Sequence, residues 1–147
     1  MNKIYLILLL VMLSAALTAQ TGLFELSFGD TREAALATLE KVNFSITDDS
    51  GTKVTLADED NSLVEGIVLN FSEEDSTLVG WTVTYIEQED EDIESTVIGI
   101  LGSWHGDDYV WDDDMEEYYW YLDDTHTVAA WYDYFDSYFI VDYYIDR

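Results

Sequence analysis

Cysteine and proline are both missing from this sequence. Without thiols there is no disulfide, no thiolate nucleophile, no Cys-ligated zinc or iron–sulfur cluster, and no lipid on a mature N-terminal Cys. Positive charge is nearly missing as well: five Lys and Arg stand against 32 Asp and Glu, a formal net charge of -27. Nucleic acid and anionic membrane surfaces are therefore poor partners, because neutralising phosphates requires cations that this chain lacks. No Gly/Ser-rich or low-complexity linker divides it. What remains is globular in character: 147 residues, 48% hydrophobic and 15% aromatic, enough for one good core.

The first residues have the three-part form of a secretory signal peptide. Met1-Asn2-Lys3 supplies a positive start, Ile4 to Leu13 is an apolar run, and Ser14 to Ala19 is mostly small. A membrane span needs about 20 apolar residues, and Ser14 breaks this run well before that. Residues 1–19 are expected to be removed after Ala19, with a cut after Ala16 as the alternative. The exported domain would be residues 20–147, with four basic residues against 32 acidic ones and a net charge of -28. A periplasmic or secreted location follows as an expectation, and core burial alone must hold such a domain together.

Hydrophobic periodicity then predicts an α+β domain. Phe24-Glu25-Leu26-Ser27-Phe28 alternates with period two, as a short strand or an extended lead-in would. Asp30 and Glu33 are spaced as a capping box ahead of Ala35, Leu36, Leu39 and Val42, which mark a helix from Thr31 to Val42. Strands are expected at Phe44 to Thr47, Lys53 to Ala57, Leu63 to Phe71 and Leu78 to Ile86. An acidic run, Glu87 to Asp92, leads into Ile93, Val97, Ile100 and Leu101 at helical spacing, with Gly102 placed as a stop. The β-branched Val97, Ile98 and Ile100, together with Gly99, keep a strand as the competitor there. Strands follow at Glu117 to Leu122, Thr127 to Phe135 and Tyr138 to Ile145. The halves, about 24–86 and 87–147, share a tandem α-β-β-β plan. Two helices on one side of an antiparallel sheet would make a two-layer fold.

Phe28-Gly29-Asp30-Thr31-Arg32-Glu33, followed by Leu36 and Leu39, resembles the helix entry of many small exported bacterial proteins. Leu101-Gly102-Ser103-Trp104-His105-Gly106 looks like their second helix end, with His105 interrupting the usual aromatic-Gly pair. Trp120, the strand with Val128 and Tyr132, and the Tyr143-Tyr144-Ile145-Asp146 ending complete the likeness. The tandem plan is similar to that of the β-lactamase inhibitor protein and of small outer-membrane-assembly lipoproteins. The resemblance implies non-catalytic protein binding across the sheet. It carries no active-site residue, and the absence of Cys departs from the lipoprotein branch.

The segment from Trp104 to Arg147 holds 15 of the 22 aromatic residues and 13 of the 32 acids. Strand alternation puts Tyr118, Trp120 and Leu122 on one face and Glu117, Tyr119 and Tyr121 on the other. On the last strand Phe139, Val141, Tyr143 and Ile145 oppose Tyr138, Ile140, Asp142 and Tyr144. Both faces are aromatic, and only one can be core. Tyr119, Tyr121, Tyr138 and Tyr144 are therefore the candidate anchors for a partner, with Asp142 as an acceptor. The competing account is that Tyr is simply a good strand former.

Other chemistry is less favoured. A hydrolase could draw a carboxylate pair from Asp107, Asp108, Asp112, Asp113, Asp114, Glu116 and Glu117, with nothing to choose among them. Asp58-Glu59-Asp60-Asn61-Ser62 has calcium-like oxygen spacing, but Leu63 stands where an EF-hand loop needs Gly. His105 and His126 share no metal-binding spacing. Ser103, His105 and Asp107 lack a nucleophile-elbow pattern. The expected function is an exported, cofactor-free binding or inhibitory module whose partner is another exported or envelope protein, or a glycan. A small hydrolase and a low-affinity calcium binder are the alternatives.

Overall fold

The computed structural model describes residues 21–146, so the expected signal segment 1–19 lies outside the described residues. Helix α1 spans Arg32–Glu40, with Thr31 as its cap: the Thr31 hydroxyl accepts the Ala34 N–H at 3.2 Å. Asp30, the cap expected from spacing, instead accepts the Ser27 N–H at 2.9 Å and closes the turn before the helix. Helix α2 spans Ile93–His105, which resolves the competition with a strand. The Asp92 side chain caps it by accepting the Ser95 N–H at 3.0 Å. It passes through Gly102 and ends at Gly106, whose φ of 87° is the left-handed conformation that stops a helix cheaply only at glycine.

The strands are β1 (Ser45–Asp49), β2 (Lys53–Ala57), β3 (Val64–Phe71), β4 (Leu78–Ile86), β5 (Val110–Asp112), β6 (Glu117–Tyr121), β7 (His126–Asp133) and β8 (Tyr138–Ile145). They form one antiparallel eight-stranded sheet in the order β1-β2-β3-β4-β8-β7-β6-β5. Each half is thus a helix followed by a four-stranded meander, one strand more than the expected α-β-β-β unit. The additional strand of the second half, β5, is only three residues long. It carries too few residues for alternation to register, and pairing with β6 at Val110↔Tyr119 and Asp112↔Glu117 is what defines it. The halves meet where β4 pairs β8, in the register Trp81↔Tyr143, Val83↔Val141 and Tyr85↔Phe139.

These six residues are buried, and they belong to one hydrophobic cluster with Ile67, Leu69, Val128 and Trp120. Ala35 and Leu39 of α1 and Ile93, Val97 and Leu101 of α2 join the same cluster. At its centre the rings of Trp81 and Tyr143 stack, with centroids 4.1 Å apart and planes 9° from parallel. Such a pair contributes about 0.5–1.5 kcal/mol beyond its area.

The leading segment differs from expectation. Leu23–Glu25 is a 3-10 turn, with Phe24 and Glu25 at φ of 61° and 59°. The alternation of Phe24, Leu26 and Phe28 reflected burial of Leu26 and Phe28 without a partner strand. A tertiary and a local bond fix the backbone here: the Leu23 N–H donates to the Tyr143 hydroxyl at 3.1 Å, and the Gly22 N–H donates to the Leu26 carbonyl within the turn at 2.9 Å.

Candidate partner-binding face

Because side chains alternate along a strand, the register that buries Phe139, Val141 and Tyr143 turns Tyr138, Ile140, Asp142 and Tyr144 to the opposite face. Two rows cross the strands there. One runs Tyr119, Ala129, Asp142, Thr82 across β6, β7, β8 and β4. The next runs Tyr121, Thr127, Tyr144. The residues on β7 between the tyrosines are small, and both are buried, Thr127 at 0% and Ala129 at 4% exposure. Larger neighbours on β6 and β8 cover them, so the accessible surface of this part of the face is formed by Tyr119, Tyr121, Asp142 and Tyr144.

Tyr119 and Tyr121 lie parallel, with ring centroids 6.4 Å apart. The Tyr119 hydroxyl donates to Glu117, and that bond, with burial, pushes the phenol well above its ordinary pKa. Burial and the carboxylates of Asp146 and Asp142 raise Tyr144. Burial also raises the Asp142 carboxyl, against the opposing effect of a 2.7 Å hydrogen bond donated by the Thr82 hydroxyl. Tyr119 and Tyr144 are therefore held as hydrogen-bond donors with apolar rings. Tyr121 is 65% exposed, the others are half-buried.

Four of the five expected site residues are thus neighbours. Tyr138 is not. It pairs with Ile86 and Asp133 at the other end of β8, and six residues of strand put it about 20 Å from Tyr144. Trp131 and Ile140, half-buried on the row between, connect the two ends.

Two of the carboxylates named for a hydrolase, Asp112 and Asp113, are engaged in turn geometry. Asp112 accepts the N–H groups of Asp114 and Met115 at 2.9 and 3.1 Å, and Asp113 accepts the Trp111 indole N–H at 2.7 Å. In the loop with calcium-like spacing, Asp58 accepts the Asp60 N–H, and Asn61 accepts those of Leu63 and Val64. Among the described residues no three His, Asp or Glu side chains converge to hold a metal ion. The Ser103 hydroxyl donates to the Gly99 carbonyl at 3.1 Å, and His105 faces Tyr143. The two histidines are apart as well, His126 lying against Phe28 and Asp123.

Sequence reasoning missed a cavity of about 250 Å³ between the end of α2 and the end of β6, lined by Trp104, His105, Asp108, Trp120, Tyr121 and Leu122. The buried Trp120 indole N–H donates to the Gly106 carbonyl at 2.9 Å, which fixes the helix end against the strand. The Trp104-His105-Gly106 motif marks one wall in the sequence. Its meeting with Trp120 depends on the sheet register, which no local pattern states.

No described helix is long and apolar enough to cross a membrane. No family model matches this chain, and neither a curated protein nor a solved structure matches it.

Proposed function

We propose that this protein is a non-catalytic exported module that binds, and by binding inhibits or sequesters, another exported or envelope protein. The observation that carries this reading is the convergence of Tyr119, Tyr121, Asp142 and Tyr144 in two adjacent rows on the sheet face turned away from the buried cluster. Tyr is well suited to such a face, since it offers large rigid contact area and a polar tip at low entropic cost. Export is supported by the pattern of residues 1–19. The same fold reading takes α1 and α2 as a layer on the other side of the sheet, supported by their shared membership of the buried cluster. The tandem plan adds the likeness to the β-lactamase inhibitor protein, which docks a protein across its sheet.

Charge specifies the partner's surface. Residues 87–146 contain 19 Asp and Glu and no Lys or Arg. A face set in such a field attracts a basic surface and repels acidic ones, and its association rate falls as salt screens it. The test is capture from an exported-protein fraction, followed by affinity measurements with the purified partner. The Tyr119→Ala/Tyr144→Ala variant should bind at least about tenfold more weakly, since aromatic anchors commonly contribute 2 kcal/mol or more. An affinity unchanged in that variant, with its circular dichroism and melting intact, would overturn the proposal.

A further inference from the structure

The turns that join β1 to β2, β3 to β4 and β6 to β7 centre on residues 50–52, 72–77 and 123–125, and those residues are Ser, Thr, Gly, Asp and Glu alone. The turn between β7 and β8 differs. Its four residues are Tyr134-Phe135-Asp136-Ser137, with Phe135 98% and Tyr134 73% exposed. Turn chemistry asks for neither ring. The Asp133 carboxylate closes the turn by accepting the Phe135 N–H at 3.0 Å, and Ser137 takes the left-handed position with a φ of 58°. Tyr134 is braced edge-on against Tyr132, with ring centroids 4.8 Å apart, and the Tyr132 hydroxyl donates to Glu87. An apolar residue exposed singly needs no explanation, but here a braced hairpin tip carries two neighbouring rings and leaves the phenyl one in water. Carboxylates crowd the same end of the sheet. The Glu87 N–H donates to the Ser137 carbonyl at 3.4 Å, Glu89 shares a cleft with Asp136, and Asp92 and Glu94 share another with Tyr134. No Lys or Arg lies between Lys53 and Arg147 to offset them.

We infer that the β7–β8 tip is a docking prong: the Phe135 ring enters an apolar pocket on a protein partner, and Lys or Arg side chains on the rim of that pocket meet the carboxylates around the tip. The inference rests on the proposed binding function and deepens it by stating the chemistry of the partner's surface. Tyr138, the expected anchor that stands apart from the tyrosine rows, pairs with Asp133 at the base of this hairpin, and Trp131 and Ile140 continue the open face from there to Asp142. One partner can therefore cover both ends. The strand between them is about 20 Å long, within the reach of a standard interface of roughly 800 Å² per partner. A second copy of this chain is a poorer occupant, because it would bring a net charge of -27 of its own against the same carboxylates.

The test places photoreactive p-benzoylphenylalanine at position 135 of the exported chain, irradiates it in the exported-protein fraction and identifies the joined peptide by mass spectrometry. The cross-link should map to an apolar pocket flanked by Lys or Arg on one protein. The same group at Asp124, on the turn at the other end of β7, should not join that peptide. With the joined protein purified, Phe135→Ala should bind at least about tenfold more weakly, and Phe135→Leu should lose less. Glu89→Gln/Asp90→Asn/Glu91→Gln should slow association at low salt and change dissociation little. All these positions are exposed, so the variants should melt with the wild type. An unchanged affinity in Phe135→Ala, a cross-link between two copies of this chain, or the absence of any cross-link from position 135 would overturn the inference. So would co-sedimentation with phosphatidylcholine vesicles that Phe135→Ala abolishes, which would assign the tip to lipid. If Phe135→Ala has no effect while the Tyr119→Ala/Tyr144→Ala variant loses the partner, the prong alone falls. The converse result keeps the prong and overturns the sheet-face reading.

Discussion

The imidazole Nε2 of His105 lies 2.8 Å from the hydroxyl of Tyr143, and that hydroxyl also accepts the N–H of Leu23 at 3.1 Å. One phenol therefore ties the end of α2 and the leading turn to the middle of the sheet. The Tyr143 hydroxyl is buried, and the assignment that gives its proton a partner donates it to His105 Nε2, which makes the imidazole an acceptor there and places its own proton on Nδ1. Burial lowers the His105 pKa from 6.5 to about 4, in keeping with a neutral ring.

That depressed value fixes a pH window. Above pH 6.5 His105 is neutral in both folded and unfolded chains and contributes nothing to the pH dependence. Between 6.5 and about 4 the unfolded chain binds a proton that the folded chain excludes, so stability falls as pH falls. The ring is half-buried, so the loss should be on the order of 1 kcal/mol after allowing for solvent screening. His105→Gln retains an acceptor for the Tyr143 proton and has no titration. Urea unfolding at pH 7.5 and 4.5 should show a smaller acid loss in the variant than in the wild type; equal losses would show that His105 is not held neutral.

Tyr143→Phe keeps the stack on Trp81 but removes the hydroxyl on which Leu23 and His105 depend. The buried Leu23 N–H then has no acceptor, at a cost of about 1–3 kcal/mol. Chemical denaturation should show that loss with an unchanged m-value. Hydrogen exchange should locate part of it at the Leu23 amide.

Glycine substitutions on this chain should have opposite signs. An added Cβ at Gly22 would lie 2.2 Å from Cε1 and 2.6 Å from the hydroxyl of Tyr143, which cannot move because Trp81 stacks on it. Gly22→Ala should therefore destabilise by about 1–3 kcal/mol through overpacking. Gly99 is exposed within α2 and has nothing within 4 Å of an added Cβ. Gly99→Ala should stabilise by about 0.5–1 kcal/mol, the helix-propensity difference. Thermal melts of the two variants beside the wild type decide both.

The net charge of -27 should appear as a salt response. Self-repulsion opposes the folded state, so the melting temperature should rise between about 10 mM and 300 mM NaCl as the Debye length shrinks from about 30 Å to less than 8 Å. The one described Arg–carboxylate pair, Arg32 with Asp49 at 2.5 Å, works in the other direction because salt screens it, but it is exposed and weak. A flat melting temperature would mean that the acids are too dispersed to repel.

Much of the fold was legible because its signals are local. The amphipathic stripe around Leu36 and Leu39 and the aromatic alternation of β6 and β8 each state a period that only one kind of element satisfies, whereas the spacing of Ile93, Val97 and Leu101 favoured a helix and left a strand in competition. The alternation also named the four tyrosines and Asp142, since it separates two faces without knowledge of the partner strands. What it could not state was distance along the sheet. Tyr138 and Tyr144 share a face by parity, yet strand length sets them at opposite ends. The short edge strand β5 escaped for a related reason: three residues carry no period, and only β6 identifies them.

Composition and periodicity by themselves determined the acidic, thiol-free chemistry of this chain, its α+β character and which residues alternate to which face, because each follows from residue type and near-neighbour spacing. Tertiary structure alone decided that β4 pairs with β8, that the leading turn curls onto Tyr143 where a strand from Phe24 to Phe28 was expected, and that Trp104 and Trp120 line one cavity. These are contacts between residues far apart in sequence. Their free energy depends on the register and burial of the whole sheet, and no local window of the chain contains it.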